Sequence, residues 1–284
     1  MTQDFQAIPL GTYDAFKDAT SWDEETSRQW VDTLNRRSAA ADQIQLRARL
    51  VELAALGQRD TVVEIGCGTG ALLCDLARKV GPGGRIIGFE PQAAFAQAAI
   101  RRLHTAGYES VSEVLCKSAE HLPLADESAA ACLAQTVLIH LPDHILHRTL
   151  REVIRVVRHG GRVISIDQDG DTWVIDHPDR ELTKRIVRFN SDQRYADGWT
   201  GRRLRRYFRQ AGLSSVEVHT WPHTDTDSGT YLFDMATRLA GAAADVGVIT
   251  TSECNTWLAQ LDEVALAGHF FSSINFYASV GIRT

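Results

Sequence analysis

Three glycines within five residues, Gly66, Gly68 and Gly70, stand between a short β-branched run at 61–65 and a helical stretch at 71–80. Glycine reaches backbone torsions barred to other residues and lets main-chain N–H groups touch a ligand. The helix that follows points its N-terminus at the same place. Glu90 closes the next β-type run, 20 residues beyond Gly70, where a carboxylate can accept hydrogen bonds from both vicinal hydroxyls of a ribose. The pattern predicts an adenosine-type ligand. Gly66, Gly68 and Ala71 also satisfy the dinucleotide fingerprint in its G-x-G-x-x-A form, so the glycines alone do not choose a cofactor. Glu64 does more. It is a carboxylate inside an otherwise apolar strand, costly to bury unless paired. An ammonium-bearing cofactor would partner it, directly or through water, whereas a pyrophosphate would repel it. Ser118-Ala119-Glu120 follows the third strand, where an adenine edge would lie, and Gln135 and His140 follow the fourth and face the same crevice.

The elements that must hold these residues alternate. Strands are expected at 61–65, 85–90, 111–116, 129–134 and 162–166, with helices at 71–80, 91–105 and 143–158 between them. That rhythm predicts an α/β chain with a parallel sheet covered on both faces. Ahead of it, residues 1–57 read as an N-terminal helical cap, with Ser21 and Glu24 as a capping box, a Trp30, Val31, Leu34 stripe, and a second helix at 39–56. The cofactor-binding core is expected at 58–227, with a helical acceptor-side insertion at 168–212 and a strand at 216–220. A helical lid follows at 228–268, and 269–284 returns as the last strand. The stripe Leu232, Met235, Ala236 and Leu239 has helical spacing and needs a partner surface, either as a roof over the pocket or as a dimer interface.

Candidate bases are His140, His223, His269, Tyr13 and Tyr195. Asp167, Asp169, Asp171 and Trp173 follow the fifth strand and read as an acceptor-site wall; Tyr13, Asp171, Trp173 and Tyr195 are the substrate-contact candidates. Alternating acids can ligate a hard cation, but the twelfth position counted from Asp167 is Pro178, so no metal is expected. The dense aromatic residues outside the motifs suggest a closed, mid-sized apolar pocket.

The 284 residues carry 30 Lys and Arg against 36 Asp and Glu, a net charge of -6. That balance argues against a general nucleic-acid binder, and Arg202, Arg203, Arg205, Arg206 and Arg209 read as one solvated helix face. The five cysteines are dispersed without a C-x-x-C pair, which fits reduced thiols in the cytoplasm. Cys67 reads as a small loop residue rather than a nucleophile. There is no run of ~18 apolar residues to span a membrane and no secretory signal pattern. A small-molecule partner is expected, with the chain a monomer or homodimer.

The segments Glu64-Ile65-Gly66-Cys67-Gly68-Thr69-Gly70, Phe89-Glu90-Pro91, Ser118-Ala119-Glu120-His121-Leu122-Pro123-Leu124, His140-Leu141-Pro142-Asp143 and Arg158-His159-Gly160-Gly161-Arg162 occur in an order and spacing that resembles the class I S-adenosylmethionine-dependent methyltransferases, over roughly residues 48 to 220. The likeness is greatest to the small-molecule subgroup that includes the quinone methyltransferases. It implies a Rossmann-like, doubly wound, mostly parallel seven-stranded sheet with the last strand antiparallel. It implies S-adenosylmethionine as cofactor and S-adenosylhomocysteine as product. By the same resemblance the Gly66–Gly70 backbone, Cys67 included, contacts the methionine portion, Glu90 holds the ribose, Pro91 packs on adenine, Ala119 and Glu120 flank the adenine amine, and Gln135 faces the sulfonium. Ser118 departs from the pattern, since many relatives have Asp there. Methyl transfer from a sulfonium is an in-line displacement that chiefly needs alignment, with a base only where the acceptor must lose a proton; His140 is the candidate. The expected reaction is O-, N- or C-methylation of an apolar, ring-containing or polyketide-like small molecule, in secondary metabolism. The alternative is a cyclase or pericyclic catalyst that keeps S-adenosylmethionine as a non-reacting cofactor.

Overall fold

The computed structural model describes Asp14 and residues 16–284; Tyr13 lies outside the described residues. Two helices, α1 (Glu24–Ala39) and α2 (Ala41–Leu53), precede the sheet. The Ser21–Glu24 capping box does not form. Ser21 ends a 3-10 turn and its hydroxyl donates to Asp18 O, while Asp23 caps α1 by accepting from the Thr26 N–H at 2.7 Å. A carboxylate at that position satisfies a free N–H and also meets the positive end of the helix dipole.

The alternation then runs β1 (Thr61–Ile65), α3 (Ala71–Val80), β2 (Arg85–Phe89), α4 (Ala93–Thr105), β3 (Ser112–Leu115), β4 (Ala129–Gln135), α5 (Asp143–Val156), β5 (Val157–Gln168), β6 (Val174–Ile175), α6 (Arg180–Phe189), α7 (Thr200–Gln210), β7 (Ser214–Asp225), α8 (Tyr231–Asp245), α9 (Thr251–Leu266) and β8 (Ser272–Ile282). The sheet order is β3-β2-β1-β4-β5-β8, with β7 bonded to the far side of β8. The first five strands are parallel and β8 runs antiparallel to β5 and β7. This is the Rossmann-like sheet with one strand more than the seven expected. β8 overhangs β5 beyond the Gln168–Phe276 pair, and β6 fills that overhang by pairing with Ser272 and Ser273. β7 is longer than expected because it follows β8 along its whole length, down to the Asp225–Ser272 pair.

α5 also ends earlier than the glycines at 160 and 161 suggested, and β5 begins at Val157. Gly161 explains the strand: a Cβ there would lie 2.7 Å from Ala130 O, so glycine lets the backbone close on β4 across the register shift at Ala129/Ala131.

β4 is small-sided and buried along six of its seven residues, which suits a central strand packed on both faces. The chain leaves β1 towards β2 and later returns past it to β4. The loops at the carboxyl ends of β1 and β4 therefore part and open a crevice. Leu232, Met235, Ala236 and Leu239 of α8 are buried and join the same apolar cluster as Phe276 of β8 and Trp173. The stripe thus finds its partner inside the chain, and residues 228–268 share the core of the sheet.

Candidate active site

The crevice holds a cavity of about 680 Å³, within the range of small-molecule sites. Its floor is the loop after β1. Glu90, at the end of β2, clamps that loop: Oε2 accepts from the Gly68 N–H at 2.9 Å and Oε1 from the Gln92 N–H at 3.0 Å. Burial raises its carboxyl above the ordinary value, against the pull of these two N–H groups. Gly68 has φ +51, and a Cβ there would meet only Leu34 Cδ1, at 3.7 Å.

Gly70, expected at the cofactor, does not line the cavity. It sits at φ +80 as the N-cap of α3, and a Cβ would lie 2.9 Å from Ala99 Cα, so glycine is required for α3 and α4 to approach. Glu120 is likewise off the wall. Its carboxylate takes the Ser118 hydroxyl at 3.3 Å and stands 3.4 Å from Arg148. Glu64, Gly66, Cys67, Gly68, Glu90, Pro91, Ser118, Ala119 and Gln135 all line the cavity.

Glu64 is 2% exposed and its Oε2 has no hydrogen-bond partner. Burial pushes its carboxyl well up, with Arg47 opposing. A buried, unpartnered carboxylate oxygen on a cavity wall fits a cationic ligand group such as an ammonium. Arg47 is held by Asp75 Oδ2 at 2.8 Å and Ser38 O at 2.7 Å. Gln135 Nε2 donates to Gln43 Oε1 at 3.2 Å, and Gln43 Nε2 lies 3.4 Å from His223 Nδ1. Burial raises the Cys67 thiol far above its ordinary value, which makes it a poor nucleophile.

The opposite wall comes after β4. Thr136 turns the chain at φ +56, strained for a β-branched residue, and its hydroxyl accepts from Arg37 Nη2 at 2.9 Å. The turn delivers His140, whose Nδ1 is 2.7 Å from Asp14 Oδ2. A carboxylate only accepts, so the pair makes Nδ1 the donor and leaves Nε2 free to take a proton. Tyr195 meets the His140 ring edge-on at 5.4 Å and accepts from Gln168 Nε2 at 2.8 Å. Beneath them, Asp167 is fully buried and accepts from the Ile139 N–H at 3.3 Å and the Ser165 hydroxyl at 3.2 Å. Burial pushes it up to about 7, with the Ile139 bond and His140 opposing.

The structure corrects the acidic wall. Asp171 accepts from the Ser191 hydroxyl and lies 3.4 Å from Arg202, outside the cavity. Trp173 is 3% exposed in the apolar core and its indole N–H donates to Ser272 Oγ at 2.9 Å. Asp169 pairs with Arg202, which stays exposed on its helix. The segment's acids are consumed by the chain's own donors, so it faces the α6–α7 junction instead of the crevice. Neither His223 nor His269 lines the cavity.

Sequence reading missed Asp14, Arg37, Gln43 and Arg47, which bring the N-terminal segment to the wall. A signal was present for two of them. Gln43, Leu46, Arg47 and Leu50 are buried together on one face of α2, so two polar residues occupy the i and i+4 positions of an apolar stripe.

A glycine-loop nucleotide site at the switch point of a doubly wound sheet defines the class: an α/β protein that binds an adenosine-type cofactor. Residues 62–161 match the family described as Methyltransferase domain. An uncharacterized 37.1 kDa protein in transposon TN4556 of Streptomyces fradiae is 32% identical over 238 residues, covering 82% of this chain and 66% of that protein. A demethylmenaquinone methyltransferase of Desulfitobacterium hafniense is 37% identical over 107 residues, 38% of this chain and 42% of that enzyme. The chain thus spans less than two thirds of the length of both relatives. Among solved structures, the YcgJ protein of Bacillus subtilis superimposes with a TM-score of 0.58 at 16% identity, covering 84% of this chain and 97% of that one. Residues 62–161 thus carry a methyltransferase domain, and the solved structure shares the fold around it. Among the described residues no helix is long and apolar enough to cross a membrane.

Proposed function

We propose that the chain transfers the methyl group of S-adenosylmethionine to a largely apolar, ring-containing or polyketide-like small molecule, using His140 to take the acceptor's proton. The observation that carries this reading is that the Glu64, Gly68 and Glu90 side of the cavity and the Asp14–His140 pair open on one volume. The cofactor supplies an activated methyl group whose bond to sulfur breaks with the electron pair leaving on sulfur. Glu64 meets the ammonium, Glu90 the ribose hydroxyls, and Pro91, Ser118 and Ala119 the adenine. Gln135, held by Gln43, faces the sulfonium. Asp14 fixes the tautomer and orientation of His140, so that Nε2 can accept a proton as the acceptor's lone pair forms the new bond. Phe16, Leu34, Phe95 and Val137 give that volume apolar walls, and excluding water favours the displacement.

The test is incubation with methyl-labelled cofactor and a panel of phenols, quinols and polyketide-like lactones. Label should enter one product with an equal amount of S-adenosylhomocysteine. Conversion of an acceptor without S-adenosylhomocysteine would instead indicate a cyclase-type catalyst that keeps the cofactor unreacted.

A further inference from the structure

Behind His140 a side cavity of about 40 Å³ adjoins the main cavity. The two share Asp14, Phe16, Leu34, Arg37, Thr136 and His140 on their walls. Three guanidinium groups reach the side cavity from three separate elements: Arg37 from α1, Arg194 from the turn after α6, and Arg238 from α8. Among the described residues none of the three has a carboxylate within salt-bridge distance, and the one carboxylate on the wall, Asp14, is taken by His140. Elsewhere Arg47, Arg155 and Arg202 each pair with an acid.

The three arginines lie against aromatic rings instead. Arg37 is 5.0 Å from the Tyr231 ring centre, Arg194 is 5.6 Å from Tyr195, and Arg238 is 6.0 Å from Trp30. Ring contacts offset part of the cost of burying a cation, but they leave N–H groups unused. Arg37 Nε, Arg194 Nη1 and Arg238 Nε are buried without an acceptor. Burial and the neighbouring Arg194 hold the Arg238 guanidinium below its ordinary value. Unmatched buried donors and like charges both cost stability. A guanidinium fork is shaped for two-oxygen anions.

We propose that this side cavity is an anion subsite, in which Arg37, Arg194 and Arg238 hold a carboxylate or phosphate group at one end of the methyl acceptor. The inference rests on the reading that the adjoining cavity takes cofactor and acceptor. It makes the acceptor amphipathic, with its charged end beyond His140 and its apolar body between His140 and Gln135. Tyr195 and Tyr231 complete the subsite with hydroxyl-bearing rings, and α8 contributes to specificity as well as to the core.

The probes are inorganic phosphate and acetate, titrated by calorimetry into the protein saturated with S-adenosylhomocysteine, with chloride at equal ionic strength as the blank. Wild type should bind one anion per chain in the millimolar range. The double variant Arg194→Gln/Arg238→Gln should bind it at least about tenfold more weakly, with S-adenosylhomocysteine affinity changed less than about twofold. Phosphate should also raise the wild-type Tm above that in chloride, because only the folded chain has the site. Equal Tm in the two salts, or equal anion binding by wild type and the double variant, would overturn the subsite. Anion binding by a chain that fails to bind S-adenosylhomocysteine would keep the subsite and overturn the cofactor reading.

Discussion

The two halves of the cavity are made differently. The cofactor half is local: Glu64 to Gly68 form one short stretch across the end of β1, Glu90 follows the next strand, and the key bonds are to backbone N–H groups. The acceptor half is assembled from distant side chains. Asp14 and His140 are 126 residues apart, Gln43 and Gln135 are 92, and Arg37 and Thr136 are 99. A site built from backbone at a strand–helix junction must follow the fold. A site built from long-range side-chain pairs can be exchanged while the fold stays, so the two halves should respond separately to substitution.

The largest expected effect falls on the acceptor half. His140→Gln should lower kcat by about 10²- to 10⁴-fold, the usual range for removing a general base. Calorimetry should find its S-adenosylhomocysteine affinity within about twofold of wild type. Asp14→Asn should shift kcat in the same direction, because the amide can donate to Nδ1 and so permits the wrong tautomer. Equal losses of turnover and cofactor affinity in either variant would erase the division between the halves.

Next in size is the cofactor half. Glu90→Ala should weaken S-adenosylhomocysteine binding by about 1.5–3 kcal/mol. Part of that loss comes from freeing the Gly68 and Gln92 N–H groups, so ribose-free analogues should also bind less well. Unchanged affinity would remove Glu90 from the site.

Legibility follows the same division. The strand–helix alternation, the glycine loop and Glu90 could be read because local spacing determines them. Gly70 was read as a ligand contact because spacing cannot distinguish a glycine that faces a ligand from one that faces Ala99 of a neighbouring helix. Asp171 and Trp173 were read as an acceptor wall because their type and position fit one. Ser191, Arg202 and Ser272, which engage them, lie 20 or more residues away in sequence. Asp14 and Arg37 gave no sign, since nothing near them in sequence marks their partners. The two-residue β6 is too short to carry a period.

A smaller effect separates structure from chemistry beneath His140. The Asp167 carboxyl is raised to about 7 in the folded chain, against about 3.9 when unfolded. Between those values the folded state holds the extra proton, so this group makes stability fall as pH rises from about 4 to 7 and constant above. Asp167→Asn should flatten that part of the Tm–pH curve, as measured by calorimetric scans. An unchanged curve would mean that Asp167 is already ionised when the chain folds.

The most direct measurement is S-adenosylhomocysteine binding by calorimetry, repeated across pH and in buffers of different ionisation enthalpy, for wild type and Glu64→Gln. Glu64 is buried with an unpartnered oxygen and a raised pKa. An ammonium placed beside it favours the carboxylate form, so binding should release a proton and affinity should rise with pH until Glu64 is ionised in the free protein. The account predicts one site per chain, proton release in wild type, and loss of both the release and the pH slope in Glu64→Gln. No binding, or the same pH-independent affinity in both proteins, would contradict it.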